Sequence, residues 1–195
     1  MNTLKMIHSY LGYRNMSPDE QTEKQINLLY DEVKEDSVYR FRYITDDLSV
    51  KNNRIIFSDY EFEVISERLS IHLENCEKII LSAATLGIKT DKKISYYQKI
   101  DMKKALIYNA CANAYIEEAM ENSLKELNNS FNDYKFTFPF SPGYGDLNLE
   151  VQKKILNFLE TEKTIGLYLS STNIMIPEKS ITAFTGMKKK GEIYV

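Results

Sequence analysis

The longest segment with a helical period, Asp101 to Leu127, constrains the fold more than any other feature of the sequence. Asp101 is placed to cap it, and Met102, Leu106, Ile116, Met120 and Leu127 recur along one stripe. Asn109 and Asn113 fall on that same stripe, and Glu117 lies beside it, sharing a face with Leu106, Ala110 and Asn113. Polar groups carried inward on a central helix need hydrogen-bond partners. Two readings are open for them: they do more than pack, or they bond locally to the backbone.

The rest of the chain supplies the surface such a helix needs. Ser17 reads as an N-cap, with Pro18 in the first helical turn and Glu20 completing a capping box. Ile26, Leu29, Tyr30 and Val33 then follow at helical spacing. Strands are predicted at Val38 to Ile44, Arg54 to Phe57 and Tyr60 to Ile65, where β-branched and aromatic residues alternate with polar ones. A short helix over Ser66 to Leu73 leads into Lys78 to Ala84, a buried strand that ends in the turn Thr85-Leu86-Gly87. Phe136 to Phe140 is strand-like, the segment from Ser141 to Asp146 is turn-rich, and Leu149 to Leu159 has a helical pattern. Ile165 to Met187 is again strand-like, with a break at Pro177.

Helices and strands therefore come in clusters instead of strict alternation. That predicts an α+β fold: a single domain with a long central helix on a largely antiparallel twisted sheet, and an N-terminal helical segment. The expected boundaries are 1–37 for the helical segment, 38–187 for the main domain and 188–195 for a C-terminal tail.

Composition narrows the function by exclusion. The 25 basic and 28 acidic side chains leave a formal charge of −3, which gives no electrostatic footprint for nucleic acid. Cys76 and Cys111 lie far apart and are read as reduced thiols. The opening segment, Met1 to Tyr13, lacks the apolar stretch of a signal peptide, and no run approaches a transmembrane helix. A cytoplasmic, soluble protein with no membrane partner is expected.

Motifs for chemistry are few. His8 and His72 have no partner at metal-ligand spacing and are read as surface or packing residues. There is no GxSxG elbow, Walker loop or GxGxxG, and Ser141, Ser170, Ser171 and Ser180 have no assignable base. Gly143-Tyr144-Gly145 is either a tight loop or a place where backbone comes close to a ligand. The Lys188 to Lys190 run is either a solvated tail or a phosphate-attracting patch.

Taken in order, several short strings resemble the activation domain of cobalamin-dependent methionine synthase, particularly its small stand-alone bacterial relatives. They begin with Tyr10-Leu11-Gly12-Tyr13 and continue through Ala84-Thr85-Leu86-Gly87 and Asp101-Met102. The strongest is Phe140-Ser141-Pro142-Gly143-Tyr144-Gly145-Asp146, followed by Gln152-Lys153. Ile165-Gly166, Leu169, Met175-Ile176-Pro177 and Lys179-Ser180 close the series.

The resemblance implies a function that composition does not. Domains of this family bind S-adenosylmethionine and cap the cobalamin domain. Inactive cob(II)alamin is then remethylated with an electron from a flavodoxin-like donor. The implied partner is a cobalamin-binding methionine synthase chain, through which alone this chain meets cobalamin, and no self-contained catalytic site is expected. The implied ligand-binding residues are Glu117 on the long helix and Ser141, Pro142, Gly143 and Tyr144 in the loop. An arginine five residues before the loop tyrosine normally grips the ligand carboxylate in this family, and here that position is Pro139. Asn109 stands where stand-alone relatives often carry Asp, and Ala112 where they carry Gly. Lys135 and Lys179 are the candidate cations to substitute for the missing guanidinium. The alternative implied by Pro139 is a docking module for a corrinoid protein that has lost S-adenosylmethionine. A third reading is a binding protein for another small molecule in the same cleft.

Overall fold

The structure is a computed structural model, and it describes residues 3–13, 16–60 and 62–191. Met1 and Asn2 of the opening segment and 192–195 of the expected tail lie outside the described residues.

The central strand explains the layering. β4 (Lys78–Thr85) is buried from Ile79 onward, because both of its faces are covered. On one side β1 (Arg40–Lys51) pairs with it antiparallel, Arg40 opposite Thr85, and on the other β8 (Ser180–Lys189) does so, Lys78 opposite Met187. β2 (Arg54–Phe57) and β3 (Glu63–Ile65) extend the sheet beyond β1, and β5 (Tyr134–Phe136) extends it beyond β8. All pairings are antiparallel, in the order β3-β2-β1-β4-β8-β5.

One face of the sheet carries α1 (Thr3–Tyr10), α2 (Glu20–Asp36), α4 (Ile88–Ile100) and the long α5 (Met102–Ser130). Ala84 and Leu86 meet that helical layer, and Ile80, Ala183 and Met187 meet Met120 and Leu124 of α5. The opposite face carries α3 (Glu67–His72), α6 (Val151–Phe158) and α7 (Thr161–Ile165). There Ile79, Leu81, Ala83 and Phe184 pack with Leu69, Leu147, Ile155, Leu159 and Ile165. The fold is α+β, with the long helix, N-terminal helices and antiparallel sheet that the sequence predicts.

Several local expectations need correction. Asp19, not Ser17, caps α2: its carboxylate accepts from the Thr22 amide at 2.9 Å. A carboxylate nearer the first turn also meets the helix dipole better than a hydroxyl placed earlier. Asp101 does cap α5, accepting from the Lys104 amide at 3.0 Å. The apolar stripe of α5 is only half right. Ile116 and Met120 are buried, but Met102 and Leu106 are each 59% exposed. The buried residues of the first half are Ala105, Ile107, Tyr108, Ala110, Cys111, Ala112 and Ala114. α1, α2 and α4 all pack on α5, and the buried face there combines four alanines and Cys111 with Ile107 and Tyr108, not Met102 and Leu106.

α1 falls within the helical segment expected over 1–37, whereas α4 and α7 lie where no helix was predicted. Lys188 and Lys189 belong to β8, so the ordered strand reaches past 187 into the expected tail. The predicted break at Pro177 is a cis Ile176–Pro177 peptide between the ribbon β6 (Tyr168–Leu169) and β7 (Met175–Ile176) and the start of β8. Of the strand predicted over Phe136 to Phe140, only Phe136 is in β5. The remainder follows β8 loosely, with Thr137 N donating to Gly186 O at 2.8 Å and Phe140 bridged to Phe184.

Candidate functional site

Two of the inward polar residues of α5, Asn113 and Glu117, find specific partners far away in sequence. Asn113 Oδ1 accepts from Lys179 Nζ at 2.9 Å, at the start of β8. Glu117, one turn further along α5, accepts from the hydroxyl of Tyr10 at the end of α1. The adjacent Glu118 accepts from the hydroxyl of Tyr30 on α2 and from Thr3 Oγ1, the latter at 2.9 Å. Of the two readings left open for these residues, local backbone bonding is not what Asn113 and Glu117 do.

The electrostatics follow from this arrangement. Burial pushes the Tyr10 phenol up, and the hydrogen bond and charge of Glu117 push it further, with a smaller contribution from Tyr144. Tyr144 therefore lies close enough to act on Tyr10, so the loop and α5 come together around that phenol. Burial holds the Lys179 amine below its ordinary value, although Asp91 and Glu178 oppose that shift. Asp91, in the first turn of α4, is pushed up by burial and accepts from the backbone amides of Glu178 (2.7 Å) and Lys179 (3.3 Å). It anchors the turn that aims Lys179 at α5.

The loop is built by short-range bonds. Ser141 O accepts from Tyr144 N at 3.2 Å, and Gly143 N donates to Leu147 O at 2.8 Å. Gly143 has φ 93° and Gly145 φ 59°, left-handed backbone that favours glycine at both positions. Pro142 is buried, Ser141 is half-buried, and Tyr144 is 67% exposed. Asp146 fixes the loop to the far end of the domain. Its carboxylate accepts from Ser66 Oγ (2.6 Å), Glu67 N (2.7 Å) and Arg68 N (3.2 Å), satisfying the first turn of α3. The loop's rigid ends leave the Tyr144 ring projecting, with only an edge contact to Phe140 at 6.4 Å.

The arrangement offers a carboxylate, an ammonium and two phenols, which is a set for holding a ligand rather than for attacking one. Burial pushes the Cys76 thiol up to about 11 and the Cys111 thiol up to about 12, so neither is a thiolate near neutral pH. His8 is bonded to Glu23 at 2.9 Å, and His72 Nε2 donates to the Phe138 carbonyl at 2.7 Å.

A groove of about 740 Å³ runs between the end of α5 and the segment from Lys135 to Pro139. Pro139 lines it, whereas Glu117 and the residues Ser141 to Tyr144 do not. Lys135 also lines it, so the two candidate cations are separated: Lys135 with Pro139 in the groove, and Lys179 on Asn113 beside Glu117. Sequence reasoning did not single out Tyr10 as Glu117's partner. Its only signal was membership of the Tyr10-Leu11-Gly12-Tyr13 string.

No family model matches the chain, and no curated protein matches it. Among solved structures, the fold is similar to that of the MetH reactivation domain bound to AdoHcy. The likeness spans 100% of this chain and 77% of that one, at 15% sequence identity and a TM-score of 0.65. At that identity it shows a shared fold. Among the described residues, no helix is long and apolar enough to cross a membrane.

Proposed function

We propose that the chain is an activation component for a cobalamin-dependent methionine synthase, of the stand-alone bacterial form. It binds S-adenosylmethionine and presents the methyl group to a corrinoid held by a partner chain. The observation that carries this reading is the end-to-end likeness of the fold to a reactivation domain solved with AdoHcy. The gathering of Tyr10, Glu117 and Tyr144 at one place supports it.

In this reading Glu117 and the phenols face the positive sulfonium, since a carboxylate and aromatic faces both favour a soft cation. The Ser141 to Gly143 backbone runs along the ligand, and Tyr144 projects toward the partner as an aromatic anchor. Capping serves proximity: methyl donor and cobalt are held together while water is kept out. The electron comes from a flavodoxin-like donor through the complex, and this chain supplies no nucleophile. A cytoplasmic location follows from that partnership.

The test is reactivation of a cob(II)alamin-form methionine synthase lacking its own activation domain, with S-adenosylmethionine and an electron donor. Recovery of activity should require this protein, and equal recovery without it would end the proposal. A second reading is favoured by one residue, Pro139, where the resemblance expects an arginine. In it the chain docks on a corrinoid protein without holding S-adenosylmethionine. Co-migration with the corrinoid chain, without any calorimetric response to S-adenosylmethionine, would select that reading.

A further inference from the structure

α2 and α4 are tied together by ion pairs along one half of their seam. Lys89 Nζ lies 2.8 Å from Asp36 Oδ1, and one turn on Lys93 Nζ lies 2.6 Å from Glu32 Oε1. Positions falling along α2 meet positions rising along α4, so the two helices run antiparallel. The next turn sets Leu28 of α2 level with Tyr96, Tyr97 and Ile100 of α4. Tyr97 turns inward and is buried, its hydroxyl donating to Glu32 at 2.8 Å. Leu28, Tyr96 and Ile100 stay outside, at 67%, 54% and 60% exposure. Large apolar side chains grouped along one helix seam differ from the singly scattered ones that any soluble surface carries.

This apolar group lies in a basic field. The segment from Ile88 to Lys104 has six lysines and two aspartates, in a chain whose formal charge is −3. Both aspartates are committed: Asp91 accepts from the Glu178 and Lys179 amides, and Asp101 caps α5. Lys89 and Lys93 are paired with α2, and Lys104 stands over the Tyr97 ring at 5.7 Å. Lys92, Lys99 and Lys103 are exposed, and among the described residues none of them has a carboxylate at ion-pair distance. Lys103 reaches the Thr22 hydroxyl at 3.5 Å. Lys92 and Lys99 share the outer face of α4 with Tyr96, one helical turn to either side of it.

We propose that the outer seam of α2 and α4 is a docking surface for an acidic segment of a partner protein. Apolar side chains of that segment rest on Leu28, Tyr96 and Ile100, and its carboxylates meet Lys92, Lys99 and Lys103. An apolar centre within a charged rim is the arrangement of protein interfaces, and the rim charges choose the sign of the partner. A second copy of this chain fits poorly, because two-fold pairing of the seam sets the same lysines against one another. An anionic bilayer also fits less well: the apolar face that such binding needs is turned inward on α4, at Ile94 and Tyr97. The surface involves neither Glu117, nor the Ser141 to Tyr144 loop, nor the groove at Pro139, and it stands independently of S-adenosylmethionine binding.

The probe is the capped peptide Glu-Glu-Phe-Glu-Glu-Leu-Glu-Glu, with two controls: Gln in place of every Glu, and Ala in place of Phe and Leu. Binding is followed by amide chemical shifts of the full chain. The acidic peptide should shift amides around Leu28, Tyr96 and Ile100, with an affinity that falls as salt is raised. Each control should bind about tenfold more weakly, the scale of three exposed ion pairs or of one covered apolar side chain. Lys92→Gln/Lys99→Gln/Lys103→Gln should reproduce that loss for the acidic peptide and leave the glutamine peptide unchanged. Leu28→Ser/Ile100→Ser should reproduce the loss seen with the alanine peptide. These positions are all exposed, so the variants should fold. If one does not, the control peptides on the wild-type chain make the same comparison. No shifts at millimolar peptide, shifts that map elsewhere, affinity indifferent to salt and to the lysine substitutions, or lysine-dependent binding to phosphatidylserine vesicles in place of the peptide would each overturn the proposal.

Discussion

Tyr10 and Glu117 are 107 positions apart in sequence, yet the Tyr10 hydroxyl donates directly to the Glu117 carboxylate. The bond exists because Met6 and Ile7 bury α1 against the helical layer, which leaves the end of α1 over the middle of α5. Next to it, Tyr30 and Thr3 donate to Glu118. The donors from α1 and α2 satisfy these two carboxylates while docking both helices on α5. The same contacts that assemble the N-terminal helices therefore orient the acidic residue of the candidate site.

The Tyr10–Glu117 pair should behave as one unit in stability. Tyr10→Phe and Glu117→Gln should each destabilise the fold by about 0.5–1.5 kcal/mol, and their double-mutant coupling should be about 1 kcal/mol. Urea denaturation of the four proteins measures it. Additive single effects would mean the bond is not present in solution.

Gly186 lies where β8 passes beneath the end of α3. A Cβ there would fall against Cys76 Sγ and only 2.9 Å from Leu73 Cδ2. Gly186→Ala should therefore destabilise by about 1–3 kcal/mol, the usual scale of overpacking. Adding Cys76→Ala should recover a substantial part of that loss, because the nearest obstructing atom is then gone. A Gly186→Ala protein with an unchanged urea midpoint would contradict this packing.

Asp146 gives the loop a defined acid dependence. Hydrogen bonding from Ser66, with further bonds from the Glu67 and Arg68 amides, holds its carboxyl below the usual carboxylate range. A carboxyl depressed on folding contributes stability above its unfolded pKa of about 3.9 and loses it as pH falls through the lower folded value. Asp146→Asn should flatten this part of the stability curve below pH of about 4, while leaving its shape near neutrality unchanged. Denaturant midpoints measured across that range for both proteins provide the comparison.

What could be seen in the sequence was local. The apolar run of β4 and the Asp101 cap each declare themselves within a few residues, and the structure has both. α4 does not, because it buries only Thr90, Ile94 and Tyr97 and exposes Ile88, Tyr96 and Ile100. Its apolar residues lie on both faces, so no clean stripe marks it. Met102 and Leu106 mislead in the opposite direction: they sit on the helical period, but the packed face carries Ala105, Ile107, Tyr108 and Ala112. The loop with Gly143 and Gly145 was legible because left-handed backbone favours a residue type that can be read directly. The partners of Asn113 and Glu117 were not, since Lys179 and Tyr10 reach them only after the whole sheet and helical layer have formed. The pairing of Lys135 with Lys188 depends on the β5–β8 register, which no local pattern sets.

Pro139 provides the sharpest test of the proposed ligand. If the chain binds S-adenosylmethionine as proposed, the carboxylate of that ligand lacks the guanidinium that the resemblance places at this position. The cations nearest in role are already disposed otherwise. Lys179 is bonded to Asn113, and Lys135 faces Lys188 in the groove that Pro139 lines. A charge-assisted contact is worth about 1.5–3 kcal/mol, which corresponds to roughly 10- to 100-fold in affinity. The wild-type protein should therefore bind S-adenosylmethionine weakly when alone, and Pro139→Arg should tighten binding by that factor. Pro139 is exposed, so the longer side chain has room and folding should be unaffected. Pro139→Leu, which adds bulk without charge, should leave affinity unchanged and separates the guanidinium from the loss of the proline ring. Isothermal titration of the three proteins decides the matter. Tight wild-type binding that Pro139→Arg does not improve would mean that another cation already serves the carboxylate, and a gain in Pro139→Leu equal to that in Pro139→Arg would mean that the proline ring, not the missing charge, limits the site.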